Sequence, residues 1–236
     1  MTEPTPTRTS STRSRPARRS SSRLARRLAG AAAVCTALGV LAAPAFVPSA
    51  STADDLAFPY VNEFTSAAGG ALHGDAAVRD GRLRLTTDER NQAGAWSTDD
   101  TFPSDLGLEI EFTYAMHTGK DDPGADGLVL FLADGASQQG VGSFGAGLGY
   151  SCRREATQGG GLSCDLPGVP GGFAGIAIDR YGNFSGEING SGPGPRPDSV
   201  VVRGSGDGVT GYRYVDGADA PGGTRTDGGT PRMVRV

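Results

Sequence analysis

From residue 54 onward glycine and proline recur every few residues, and apolar side chains nowhere repeat with a helical period. A chain so punctuated has to bury its apolar residues through short strands. Leu108, Ile110, Phe112, Tyr114 and Met116 alternate with Glu109, Glu111, Thr113, Ala115 and His117, which predicts one long half-buried strand. Leu83 and Leu85 alternate in the same way within Gly81–Thr86. Leu128–Leu132 and Phe173–Ile178 are more uniformly apolar, as strands covered on both faces are. Ser199–Arg203 and Gly211–Val215 are further strands. Many short strands with turn residues between them predict an all-β fold, an antiparallel β-sandwich large enough to hold a core. Gly217–Pro231 is polar and patternless, and Met233–Val236 reads as a strand just beginning. The expectation is therefore a sandwich lacking its C-terminal strands.

The first 53 residues read as a leader rather than as fold. Residues 1–27 hold eight arginines and one acid, and Leu28–Val47 is almost all Ala, Leu, Val and Gly. Ser51-Thr52-Ala53 supplies small residues for cleavage, expected after Ala53. The Arg26-Arg27 pair leaves the export route open. The apolar run is Ala/Gly-rich and near the lower length limit for spanning, so no membrane span is expected after cleavage.

What remains, residues 54–236, is read as one secreted domain with 14 basic and 25 acidic side chains, a net charge of −11. Such a surface gains nothing from phosphate backbones, which argues against nucleic acid, and it suits a cation site. Cys35 leaves with the leader. Cys152 and Cys164 remain, an even number in an exported chain, and are expected to form a disulfide.

Three segments carry chemistry. Phe173–Ile178 ends abruptly in Asp179, followed by Tyr181 and Asn183. A carboxylate, a backbone carbonyl and a side-chain amide in that order supply oxygens for a hard cation such as Ca²⁺. The same residues equally describe a strand ending in an Asx-type turn. In Gly124–Leu132, Asp126 sits at the N-terminal mouth of an apolar strand. Gly142–Tyr150 is a glycine-rich loop with bare amides, and no Lys-Ser/Thr follows to make it a phosphate cradle.

In this order the three segments resemble the legume-lectin-like (L-type lectin) family, particularly its exported bacterial members. The likeness begins near Phe58 and Phe64 and continues through Gly81–Thr86, Ala125–Leu132 and Phe144–Tyr150. It then takes in Gly171–Phe184 and Pro197–Gly204. The resemblance implies a concanavalin A-like jelly roll that binds a glycan or polysaccharide without catalysis. Asp126 would accept hydrogen bonds from two sugar hydroxyls, across an Ala125–Asp126 peptide that is cis. Gly145 would donate its amide, Tyr181 its ring, and Asn183 its NH₂ group. Calcium would be held by Asp179, the Tyr181 carbonyl and Asn183. Two residues before Asp179, where many plant lectins carry a glutamate for a second, transition-metal ion, this chain has Ala177. A single calcium is the expectation, with Glu187 or Asp198 as the downstream carboxylate.

Two rival readings come from the same architecture. A laminarinase-like glycoside hydrolase needs paired carboxylates on one strand face, and Glu109 and Glu111 are such a pair. They lack the further acids of that signature and sit on the polar face, so they read as solvated. The other rival is a structural or adhesive surface module without an active sugar site. Trp96 and Phe102 read as core rather than as sugar platforms.

Overall fold

The computed structural model describes residues 55–105, 107–117, 124, 126–156, 158, 162–187, 190–226 and 229–236. The leader, its expected cleavage point and the Ala125–Asp126 peptide lie outside the described residues.

Regular structure there is almost entirely strand. The first five strands are β1 (Gly70–Gly74), β2 (Ala77–Arg79), β3 (Arg82–Arg84), β4 (Gly94–Thr98) and β5 (Glu111–Tyr114). Next come β6 (Gly127–Ala133), β7 (Arg153–Ala156), β8 (Leu162–Leu166), β9 (Gly172–Asp179) and β10 (Ser199–Arg203). The last four are β11 (Gly206–Asp207), β12 (Thr210–Gly211), β13 (Tyr214–Asp219) and β14 (Arg232–Arg235). Single 3-10 turns occupy Gly145–Gly147 and Asn183–Ser185. The ladders are antiparallel, as the sequence predicts.

Strand β9 organises the main sheet. It pairs with β6 and with β10, which in turn pairs with β13, while the β11–β12 hairpin joins at Gly172. Its side chains alternate between two apolar environments. Ala177, on one face, joins Tyr150, Val169, Phe184, Val201 and Tyr212 in the buried core. Gly175 shares that face because a Cβ there would fall 2.4 Å from the Tyr150 ring. Ile176 and Ile178, on the other face, line a cavity of about 560 Å³ with Phe112, Tyr114, Val200 and Val234. The β5–β14 pair thus faces the main sheet as a second layer, the two-layer logic of a sandwich.

Some expectations need adjusting. Burial alternates residue by residue from Leu108 to His117, as predicted, but the ladder covers only Glu111–Tyr114. Its partner β14 is four residues long, and the Met116 backbone bonds to Thr226 instead. The strand expected over Gly211–Val215 is broken at Tyr212, whose φ of +51° breaks the extended run; its ring is wholly buried. Strand β13 then runs on to Asp219, into the stretch that reads as patternless, because its backbone finds a partner in β10. Met233–Val236 is paired, through β14 and through Val236 to Ile110. Phe173 is exposed rather than covered, at the irregularity where the β6–β9 register shifts between Leu132 and Ala133. Trp96 and Phe102 are half-buried and each packs edge-to-face on another aromatic, Phe64 and Phe58 respectively, but both lie outside the buried cluster. Cys152 and Cys164 are disulfide-bonded, with Cα atoms 5.8 Å apart, across the base of the β7–β8 hairpin.

Candidate carbohydrate site

The Asp126 backbone is tied directly to the loop that follows β9. Its carbonyl accepts the N–H groups of Arg180 and Tyr181, at 2.9 and 3.1 Å. Gly127 opposes Asp179 in the β6–β9 ladder, and a Cβ at 127 would lie 2.4 Å from the Ile178 carbonyl oxygen. The glycine of the Ala-Asp-Gly block therefore allows the close backbone approach that brings Asp126 beside Asp179.

Gly145 closes the third side. It opens its 3-10 turn with φ +63°, and a Cβ there would stand 3.9 Å from Asp126 Oδ2 and 2.8 Å from Arg153 Nη1. A bare backbone thus sits against a carboxylate and a guanidinium. The segments of Asp126, Gly145 and Asp179 meet at one rim, with Tyr181 more than half exposed beside them and Asn183 opening the next turn.

Two further residues, Arg153 and Phe144, belong to this rim without having been singled out by their sequence pattern. Arg153 donates from Nη1 to the Phe144 carbonyl at 3.2 Å and stands 4.4 Å from the centroid of the exposed Phe144 ring. It also donates from Nε to Glu155 at 2.8 Å. A usable signal was its position next to Cys152, since the disulfide fixes the base of the hairpin that carries it. Burial pushes the Asp126 carboxyl above the usual carboxylate range, while the Arg153 charge works against that rise.

Asp179 is differently placed. It is 1% exposed, and its two oxygens accept the N–H groups of Gly182 at 2.7 Å and Phe184 at 2.8 Å. Gly182 holds φ +92°, and a Cβ there would meet the Pro197 nitrogen at 2.3 Å. Burial raises the Asp179 pKa, the amides of Gly182, Phe184 and Tyr181 lower it, and Asp126 raises it again. Of the two readings left open in the sequence, the geometry matches the Asx-type turn: the carboxylate caps its own downstream backbone.

The donor set does not fit a calcium ion, which takes about 6–8 oxygens with charge supplied by carboxylates. Both Asp179 oxygens already accept backbone amides. Asp198 accepts the Thr224 amide at 3.0 Å, the Thr224 hydroxyl at 2.8 Å and Arg180 at 3.0 Å. Glu187 is exposed, and Ala177 lies wholly inside the apolar core. Among the described residues no three His, Cys, Asp or Glu side chains gather as metal ligands.

Residues 49–150 match the model of the legume-like lectin family. Over this stretch the chain is legume-lectin-like. No curated protein matches the chain. The matched stretch contains Asp126 and Gly145, whereas Tyr181 and Asn183 lie beyond it. The hydrolase pair is elsewhere: Glu109 and Glu111 both reach Arg235 on the exposed face of the β5–β14 ladder, at 3.4 and 3.3 Å.

Proposed function

We propose that this is an exported carbohydrate-binding domain that holds its ligand without transforming it. One observation carries the reading: an acid, a bare glycine turn and an aromatic-bearing loop, far apart in the chain, converge on one rim. Sugars present paired hydroxyls and an apolar C–H face, and they call for that combination. Asp126 accepts from two adjacent hydroxyls, and the Gly145 amide donates to the same ring. Tyr181 offers a surface for the C–H face, and Asn183 adds an amide donor. Arg153, held by Phe144 and Glu155, restricts which hydroxyls can approach Asp126.

Legume-like lectins typically bind metal ions, and the family match supports glycan binding in general. The calcium expected at Asp179, Tyr181 and Asn183 is supported by that likeness and not by the donor geometry, and the sugar contact does not depend on it. Secretion and the leader at residues 1–53 rest on the charge and apolar pattern of that segment. No helix among the described residues is long and apolar enough to cross a membrane.

The test is a glycan array on wild type and Asp126→Ala, with circular dichroism on both. Signal lost in a folded variant supports the reading. Equal signal from both proteins overturns it, as does reducing-sugar release from β-glucans that disappears in Glu109→Gln.

A further inference from the structure

Arg203 is the last residue of β10 and is wholly buried, which is rare for arginine and tolerated only where its donors are satisfied. Among the described residues its partners are mostly main-chain carbonyls. Nε donates to Phe184 O at 2.8 Å, and Nη2 to Gly186 O at 2.7 Å and Ser191 O at 3.1 Å. Nη1 donates to Tyr212 O at 2.9 Å and to the Ser191 hydroxyl at 3.3 Å. The guanidinium also lies 5.2 Å from the centroid of the Phe184 ring.

Four carbonyls and a hydroxyl gathered around one positive charge make the kind of oxygen shell that a hard cation collects. Three of those carbonyls belong to the loop that follows Asn183. The same loop has its amides collected by Asp179, through Gly182 and Phe184. Ser185 adds a cross-link, its hydroxyl lying 2.9 Å from both Gly182 O and Gly194 O. One buried anion holds the N–H groups and one buried cation holds the C=O groups, so the backbone is fixed from both polarities. Burial lowers the Arg203 pKa to about 10, the nearby Tyr214 and Asp179 oppose that shift, and the group stays charged at neutral pH.

We propose that Arg203 is the resident cation of the Tyr181–Glu187 segment and Ser191, a positioning residue that orders the sugar-facing backbone without calcium or any other metal ion. It touches no ligand itself; it acts through the backbone that presents Tyr181 and Asn183. Its bearing on sugar affinity rests on the function proposed above, whereas metal-free ordering of the loop stands apart from it.

The experiment uses the full chain after chelator treatment and removal. Calcium chloride is titrated by calorimetry while Tm and amide exchange over residues 182–191 are followed. Wild type should show no saturable binding up to about 10 mM, beyond the weakest range of extracellular calcium modules. It should also show no rise in Tm and unchanged exchange. In Arg203→Met, exchange over 182–191 should quicken by at least about tenfold relative to the β6 and β9 amides, and Arg203→Lys should restore part of the protection. One equivalent of calcium bound by wild type, with a Tm rise lost in Asp179→Asn, would overturn the proposal. So would wild-type exchange rates in a folded Arg203→Met. Should that variant not fold, the wild-type calcium titration still decides. None of these readouts needs a sugar, so an inactive glycan array would count against the sugar contact and not against the role of Arg203.

Discussion

Two charged clusters in this domain use the same charged groups, carboxylate and guanidinium, and stand at opposite ends of the scale of burial. Around the loop after β9, Asp179 and Arg203 are almost wholly removed from solvent, and each gathers backbone groups of the opposite polarity from it. On the β5–β14 ladder, Glu109, Glu111 and Arg235 form a carboxylate–guanidinium–carboxylate bridge in which every member is at least about half exposed. Removing a partner from a buried, hydrogen-bonded charge leaves uncompensated polar groups in a medium that cannot solvate them. Removing a partner from an exposed bridge returns the remaining groups to water. The first cluster fixes the backbone of the loop after β9, and the second decorates an exposed strand pair.

The comparison can be broken most directly at Asp179. Asp179→Ala leaves the Gly182 and Phe184 amides without acceptors, and a loss of about 3–5 kcal/mol is expected in urea unfolding. A loss below about 1 kcal/mol would mean that the loop relaxes to water and that the buried cluster is no different from the exposed one. Next in size is the disulfide. Replacing Cys152 and Cys164 together by serine opens a loop spanning 12 positions and should cost about 3 kcal/mol, read from the same denaturation curves. If sugar affinity falls as well, the hairpin holds Arg153 at the rim; unchanged affinity would confine its role to stability.

A smaller effect sharpens the electrostatics of the rim. In the proposed contact Asp126 can accept from two hydroxyls at full strength only when ionised, since protonation turns one oxygen into a donor, and burial has raised its pKa above the ordinary range. Affinity should therefore be full at neutral pH and fade on acidification, beginning at a higher pH than an exposed aspartate would give. Calorimetric titration against a sugar identified on the array measures this. A profile flat to below the ordinary aspartate range would remove Asp126 from the contact. The smallest effect belongs to the exposed cluster: Arg235→Ala should shift stability by less than about 1 kcal/mol, fading further in salt.

Much of the fold was legible in the chain because burial in a strand repeats every second residue, a local property. The in–out alternation from Leu108 to His117 and the apolar runs of β6 and β9 needed no knowledge of partners. The same period places Arg203 on the inward face with Ser199 and Val201, but arginine is so seldom buried that its type argued against its position. Tyr212 hid for a different reason: its positive φ breaks an alternating run that reads as continuous.

The chain by itself determined which residues could do chemistry: an acid at the mouth of one strand, a glycine turn, and an Asp–Tyr–Asn series at the end of another. Only the tertiary structure decided how those groups are used. It directs both oxygens of Asp179 into the following backbone, sets the Arg153 guanidinium beside Asp126, and turns the Arg203 guanidinium toward Phe184, Gly186 and Ser191. A polar group's partner depends on which distant segments the sheet brings within about 3 Å, and no local pattern encodes that distance.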